Sequence, residues 1–88
     1  MKKFGIYITS ECISAANGRP YNSDHYEGQN VREAENAKAA IQAEIDDWKF
    51  ENVKSIEWFD NDEDPELGPS AVVIVSLEDG GEKHFFFN

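Results

Sequence analysis

The sequence predicts an α+β fold: a single domain built as a two-layer sandwich, with one helix over about residues 31–50 on a small antiparallel sheet, in the order β-α-β-β-β. Three observations predict it. Apolar residues alternate near the start of the chain, an apolar stripe of helical period runs from Val31 to Trp48, and three short strand-like runs separated by turn formers follow it. With 88 residues the chain has room for one core, and an apolar fraction of 40%, aromatics 12%, sets it apart from disordered chains of similar charge.

In the first strand Phe4, Ile6 and Ile8 alternate with Gly5, Tyr7 and Thr9, and Ile13 extends it past a bulge. Residues 16–30 collect Asn17-Gly18, Pro20, Asn22-Ser23-Asp24, Gly28 and Asn30, a density of turn formers that predicts a loop. Asn17-Gly18 also suits a hairpin turn, because both residues accept positive φ. Asn30 followed by Glu33 reads as a helix N-cap with an acid at the third helical position. Val31, Ala34, Ala37, Ile41, Ile45 and Trp48 then recur at spacings of three and four, with Arg32, Glu35, Lys38, Gln42 and Asp46 on other faces. Asn52 lies just past the predicted helix end.

After the helix, Val53, Ser55, Glu57 and Phe59 alternate with Lys54, Ile56 and Trp58 as a strand. Residues 60–70 form an acidic loop, since Pro65 and Pro69 deny a ladder its donors. The β-branched run Ala71-Val72-Val73-Ile74-Val75 reads as a central strand, Glu78-Asp79-Gly80-Gly81 as a tight turn, and Glu82 to Phe87 as the returning last strand. These three strands make a meander, and the pattern does not dictate where the first strand pairs. One helix covers one sheet face, so the other meets water or another chain.

Composition restricts the function. Cys12 is the single cysteine, so an internal disulfide is ruled out and a cytoplasmic setting is expected. The apolar run after Lys2 and Lys3 stops at five residues, too short for a signal peptide, and no run is long enough to span a bilayer. A formal net charge of −10 opposes contact with anionic lipid and direct binding to nucleic acid. Cys12, His25 and His84 lack the close pairing of zinc ligands, and no activated nucleophile or acid/base pair is identifiable, so no enzymatic role, metal or cofactor is expected. Asp60-Asn61-Asp62-Glu63-Asp64 has the alternating oxygens that open an EF-hand loop. Pro65 stands where that loop turns on glycine, however, and Ala71 where its bidentate glutamate belongs.

The acids are not evenly spread. Residues 44–66 hold ten of the eighteen acids and only two bases, Lys49 and Lys54, a net of −8 in 23 residues. Glu44, Asp46, Asp47 and Glu51 crowd the predicted helix end, where the macrodipole favours cations, and stability alone would not choose acids there. Helix end, following strand and loop are expected to gather these acids at one end of the sandwich. The partner-binding candidates are Glu44, Asp46, Asp47, Glu51, Glu57, Asp60, Asp62, Glu63, Asp64 and Glu66, set against the simpler alternative of a solubilising surface.

The plan of a strand, an alanine-rich helix (Asn30-Val31-Arg32-Glu33-Ala34-Glu35-Asn36-Ala37-Lys38-Ala39-Ala40) and a terminal meander, decorated by Asp60-Asn61-Asp62-Glu63-Asp64, resembles the small acidic proteins that phages make against host defences, anti-CRISPR proteins and DNA mimics. That resemblance implies a non-enzymatic inhibitor whose partner is a basic nucleic-acid-binding protein, and it transfers no individual residue. The alternative is a small homodimeric structural or assembly protein that buries Phe85, Phe86 and Phe87 of the last strand against a second copy.

Overall fold

The computed structural model describes residues 1–60 and 68–88. Six elements follow in order: β1 (Lys2–Ile13), β2 (Pro20–Ala34), α1 (Ala37–Trp48), β3 (Val53–Phe59), β4 (Ser70–Ser76) and β5 (Glu82–Phe87). The strands form one five-stranded sheet, β2-β1-β5-β4-β3, with every neighbouring pair antiparallel, and α1 packs on one face. This is the expected α+β sandwich, and it places β1 between β2 and β5.

Two expectations are corrected. The segment expected as a loop over residues 16–30 is largely β2, so the order is β-β-α-β-β-β. Ser14 and Arg19 close the β1–β2 hairpin through Ser14 N–H to the Arg19 carbonyl at 3.0 Å, and Asn17-Gly18 sits inside this longer turn. β2 does not alternate cleanly because its register against β1 shifts three times, first where Ile8 faces Gly28 while Thr9 faces Tyr26, leaving Glu27 as an extra residue. Its turn formers are tolerated because an edge strand needs only one ladder, and β1 supplies it.

The helix is the second correction: it spans Ala37–Trp48, not 31–50, and its N-cap is Asn36, whose Oδ1 accepts the Ala39 N–H at 2.8 Å. Val31 and Ala34 share the helical spacing but belong to β2, where they face Gly5 and Lys2. Lys49 ends the helix in the left-handed region, φ 53°, and Asn52 adopts φ 58° three residues later.

The helix-covered face carries Ile6, Ile8, Val73, Phe85 and Phe87 from the sheet, which meet Ala40, Ile41 and Ile45. Trp48 and Phe50 close the end of this core, with the Trp48 ring 5.8 Å from both Phe85 and Phe87. The terminal phenylalanines therefore divide: Phe85 and Phe87 are core, and Phe86, opposite Thr9 and Val72, lies on the uncovered face. At the β4–β5 turn Asp79 Oδ1 accepts the Gly81 N–H, and a Cβ at Gly81 would approach the Ile13 carbonyl to 2.6 Å, so only glycine fits that crossing.

Candidate functional site

Glu44 is the acid whose role changes most. It falls three residues after Ile41 and four before Trp48, on the buried stripe of α1, and is only 5% exposed. Its Oε1 accepts from Asn30 Nδ2 and Arg32 Nε, each at 2.9 Å, and its Oε2 accepts from Trp48 Nε1 at 2.9 Å. Burial pushes the carboxyl pKa up, but the donors from Asn30, Arg32 and Trp48 outweigh that and hold it below the ordinary value. Glu44 is thereby a structural carboxylate that ties α1 to β2, and it is withdrawn from the partner-binding set.

Arg32 also donates through Nη2 to Asp47. The helix has no base in its own last turn, and this guanidinium, reaching from β2, supplies the cation that its C-terminal end lacks. The conflict with the helix dipole inferred from the sequence is thus partly relieved by a tertiary contact.

The remaining described acids of the segment flank β3. Asp46, which accepts from Gln42 Nε2 at 3.0 Å, lies beside Val53 and Ile56. Glu51 precedes β3, Glu57 projects from it onto the uncovered face, and Asp60 follows it; all three are exposed. Glu51 and Asp60 therefore stand beyond opposite ends of a seven-residue strand that spans roughly 20 Å at about 3.3 Å per residue, instead of at one end of the sandwich as expected. Asp62, Glu63, Asp64 and Glu66 lie outside the described residues, as does most of the EF-hand-like run. Of the nearby bases, Lys54 Nζ is 2.6 Å from Glu82 Oε2 and Lys38 Nζ lies 5.1 Å from the Trp58 ring centre, while Lys49 is exposed beside Asp46.

The other polar cluster joins β1, β2 and β5. Ser10, itself buried, donates through Oγ to Glu27 Oε1 at 2.7 Å, and Lys83 Nζ reaches the same oxygen at 3.1 Å. Partial burial raises the Glu27 pKa, while the Ser10 and Lys83 bonds lower it further, for a net downward shift. His25 Nε2 is 3.8 Å from this carboxylate. Cys12 pairs with Lys83 across the strands, and His84, the next residue of β5, faces Glu11 and approaches Glu82 at 3.1 Å. Side chains alternate along β5, so Cys12 and His84 occupy opposite sheet faces and do not form a joint site. Among the described residues, no three His, Cys, Asp or Glu side chains converge to hold a metal ion.

Sequence reasoning missed Glu44's role, although the signal was present: an acid inside an apolar stripe announces a buried partner. It also left open the place of β1 between β2 and β5, because nothing in a local pattern reports which strand lies alongside. The uncovered face holds a shallow groove of about 490 Å³ between β1 and β2, lined by Gly5, Ile6, Tyr7, Gln29, Asn30 and Val31. Among the described residues, no helix is long and apolar enough to cross a membrane. No protein-family model matches the sequence, and neither a curated protein nor a solved structure gives a match.

Proposed function

We propose that this chain is a non-enzymatic inhibitor of the kind its plan resembles. Its acidic side along β3 occupies the basic nucleic-acid-binding groove of a cytoplasmic partner, such as a CRISPR or other defence nuclease complex. The observation that carries the reading is the net −8 of residues 44–66 together with the exposure of Asp46, Glu51, Glu57 and Asp60. Carboxylates spread along a rigid strand replace phosphates against lysines and arginines, and such association is fast and salt-sensitive.

The variant Asp60→Asn, Asp62→Asn, Glu63→Gln, Asp64→Asn tests it. Beads carrying the parent protein are expected to retain a basic nucleic-acid-binding protein from host lysate, and to release it as salt rises. The variant is expected to retain at least about tenfold less at low salt, each charge contributing a few tenths of a kcal/mol or more, with an unchanged circular dichroism spectrum. The captured protein should also lose DNA or RNA when the parent is added. Equal retention by the two proteins, or unaltered nucleic-acid binding by the captured protein, would overturn the reading.

A second reading rests on the uncovered sheet face, where Tyr7, Tyr26 and Phe59 are each about half exposed and Val31 is 64% exposed. A second copy of the chain seated there would bury them, using these residues in place of the terminal phenylalanines. Light scattering across a hundredfold range of concentration decides it: a constant monomer mass sinks the dimer.

A further inference from the structure

β3 is an edge of the sheet, with β4 on its inner side. Ser76 N–H donates to the Asn52 carbonyl at 3.0 Å, so the backbone polar groups of Ser76, and by alternation those of Ile74, Val72 and Ser70, point toward β3. Their partners Ser55, Glu57 and Phe59 point back at them, which turns the N–H and C=O of Ile56 and Trp58 outward. Among the described residues, no strand pairs with that outer edge. The register shift between Val53 and Ser55 leaves Lys54 as an extra residue, and the regular edge begins after it. The two faces beside this edge differ in chemistry. Ile56, opposite the core residue Val73, belongs to the helix-covered face and is nevertheless 40% exposed, as Val53 is at 41%. With Ile45 and Phe50 they line an open groove of about 230 Å³ whose rim carries Asp46 and Lys49. The other face presents Glu57 and Phe59, both exposed, with Asp60 just beyond.

The geometry points to a strand-addition site: the Ile56–Trp58 edge of β3 accepts an extended, basic segment of a partner protein that runs antiparallel to β3. This rests on the reading of the acidic β3 side as the partner surface, and specifies how the partner is held. Ile56 and Trp58 each donate one main-chain hydrogen bond to the segment and accept another. The partner residue opposite Ile56 points into the groove, where Ile45, Phe50 and Val53 favour an aliphatic side chain and Lys49 repels a cation. The residues opposite Glu57 and Phe59 point to the other face, where one arginine pairs with Glu57 and a second stacks on the Phe59 ring beside Asp60. The recognised pattern, read toward the partner's C-terminus, is basic, any residue, basic, aliphatic. A second copy of this chain does not meet it, because symmetric antiparallel pairing through Ile56 and Trp58 sets Glu57 against its own counterpart, a like-charge contact.

The probe is a capped peptide, Arg-Val-Arg-Leu-Ser, titrated into isotope-labelled protein and followed through backbone amide resonances and hydrogen exchange. In the free protein the Glu57 and Phe59 amides are expected to exchange slowly and those of Ile56 and Trp58 freely. On binding, the Ile56 and Trp58 amides shift and become protected. N-methylation of the peptide's valine and leucine, opposite Trp58 and Ile56, keeps every side chain but removes two donors, and is expected to weaken binding about tenfold. N-methylation of the second arginine alone, whose N–H faces away from β3, should leave the affinity within about twofold. Glu57→Gln should weaken the parent peptide about threefold at low salt, with the gap closing as salt rises. Equal, salt-sensitive binding of the parent and doubly methylated peptides would overturn strand addition and leave the acidic-surface reading intact. Ile56 and Trp58 amides already protected in the free protein, shifts confined to other strands, or no binding by the parent peptide would each overturn it as well, while the acidic-surface reading stands or falls with capture from lysate.

Discussion

Replacing Glu44 by alanine is expected to lower the free energy of unfolding by about 3 kcal/mol, because it strands a guanidinium, an amide and an indole N–H that share one buried acceptor. Urea melts at neutral pH measure the loss. Glu44→Gln should fall between, since the amide preserves the shape and one acceptor but turns a donor toward Trp48 Nε1. The pH dependence has a definite sign. The folded pKa of Glu44 is held below its ordinary 4.5, so its contribution is complete above that value and is lost as pH falls from there through the lower folded pKa. The parent should therefore lose more stability on acidification than Glu44→Gln does. A loss under about 0.5 kcal/mol for Glu44→Ala, the range of ordinary surface substitutions, would show that the carboxylate is not the hub described.

Phe87→Ala should cost more, about 4 kcal/mol, as expected for emptying a closely packed aromatic position. Phe87 is fully buried, paired with Ile8 on one side and Ala71 on the other, with the Trp48 ring 5.8 Å and the Phe50 ring 6.0 Å away, edge to face. A small domain holds only about 5 to 15 kcal/mol in all, so this variant is expected to melt near or below working temperature. Phe86→Ala removes the same atoms one residue earlier, from the uncovered face, and should cost less than half as much. Parallel thermal melts of the two variants, with the emission of Trp48 and Trp58 as a second readout, compare them directly. Equal destabilisation by both would contradict the division of the terminal phenylalanines between the two faces.

The uneven legibility of the fold has a physical pattern. The meander was readable because β3, β4 and β5 carry β-branched or aromatic residues whose burial is signalled along the strand, and because Asp79-Gly80-Gly81 marks the short turn between β4 and β5. β2 was not, since its polar, bulged sequence buries little and takes its conformation from hydrogen bonds to β1. The helix start was misplaced for a related reason: Asn30 and Glu33 imitate a cap and its partner, and Val31 and Ala34 keep helical spacing, yet pairing with Lys2 to Gly5 holds that stretch extended until Asn36. Of the candidate site, the exposure of Asp46, Glu51, Glu57 and Asp60 followed from their charge, whereas the burial of Glu44 depended on a base twelve residues earlier arriving from another element.

By itself, then, the sequence determined the fold class, the single core, the apolar side of α1, the terminal meander and the concentration of negative charge, because each follows from local periodicity or from counting. Only the tertiary structure decided that β1 lies between β2 and β5, that Arg32 binds both Glu44 and Asp47, and that the acids flank β3 on both ends. Those are properties of strand order and of contacts between residues far apart in sequence, and a strand's own residues encode which face is buried far more strongly than which strand lies beside it.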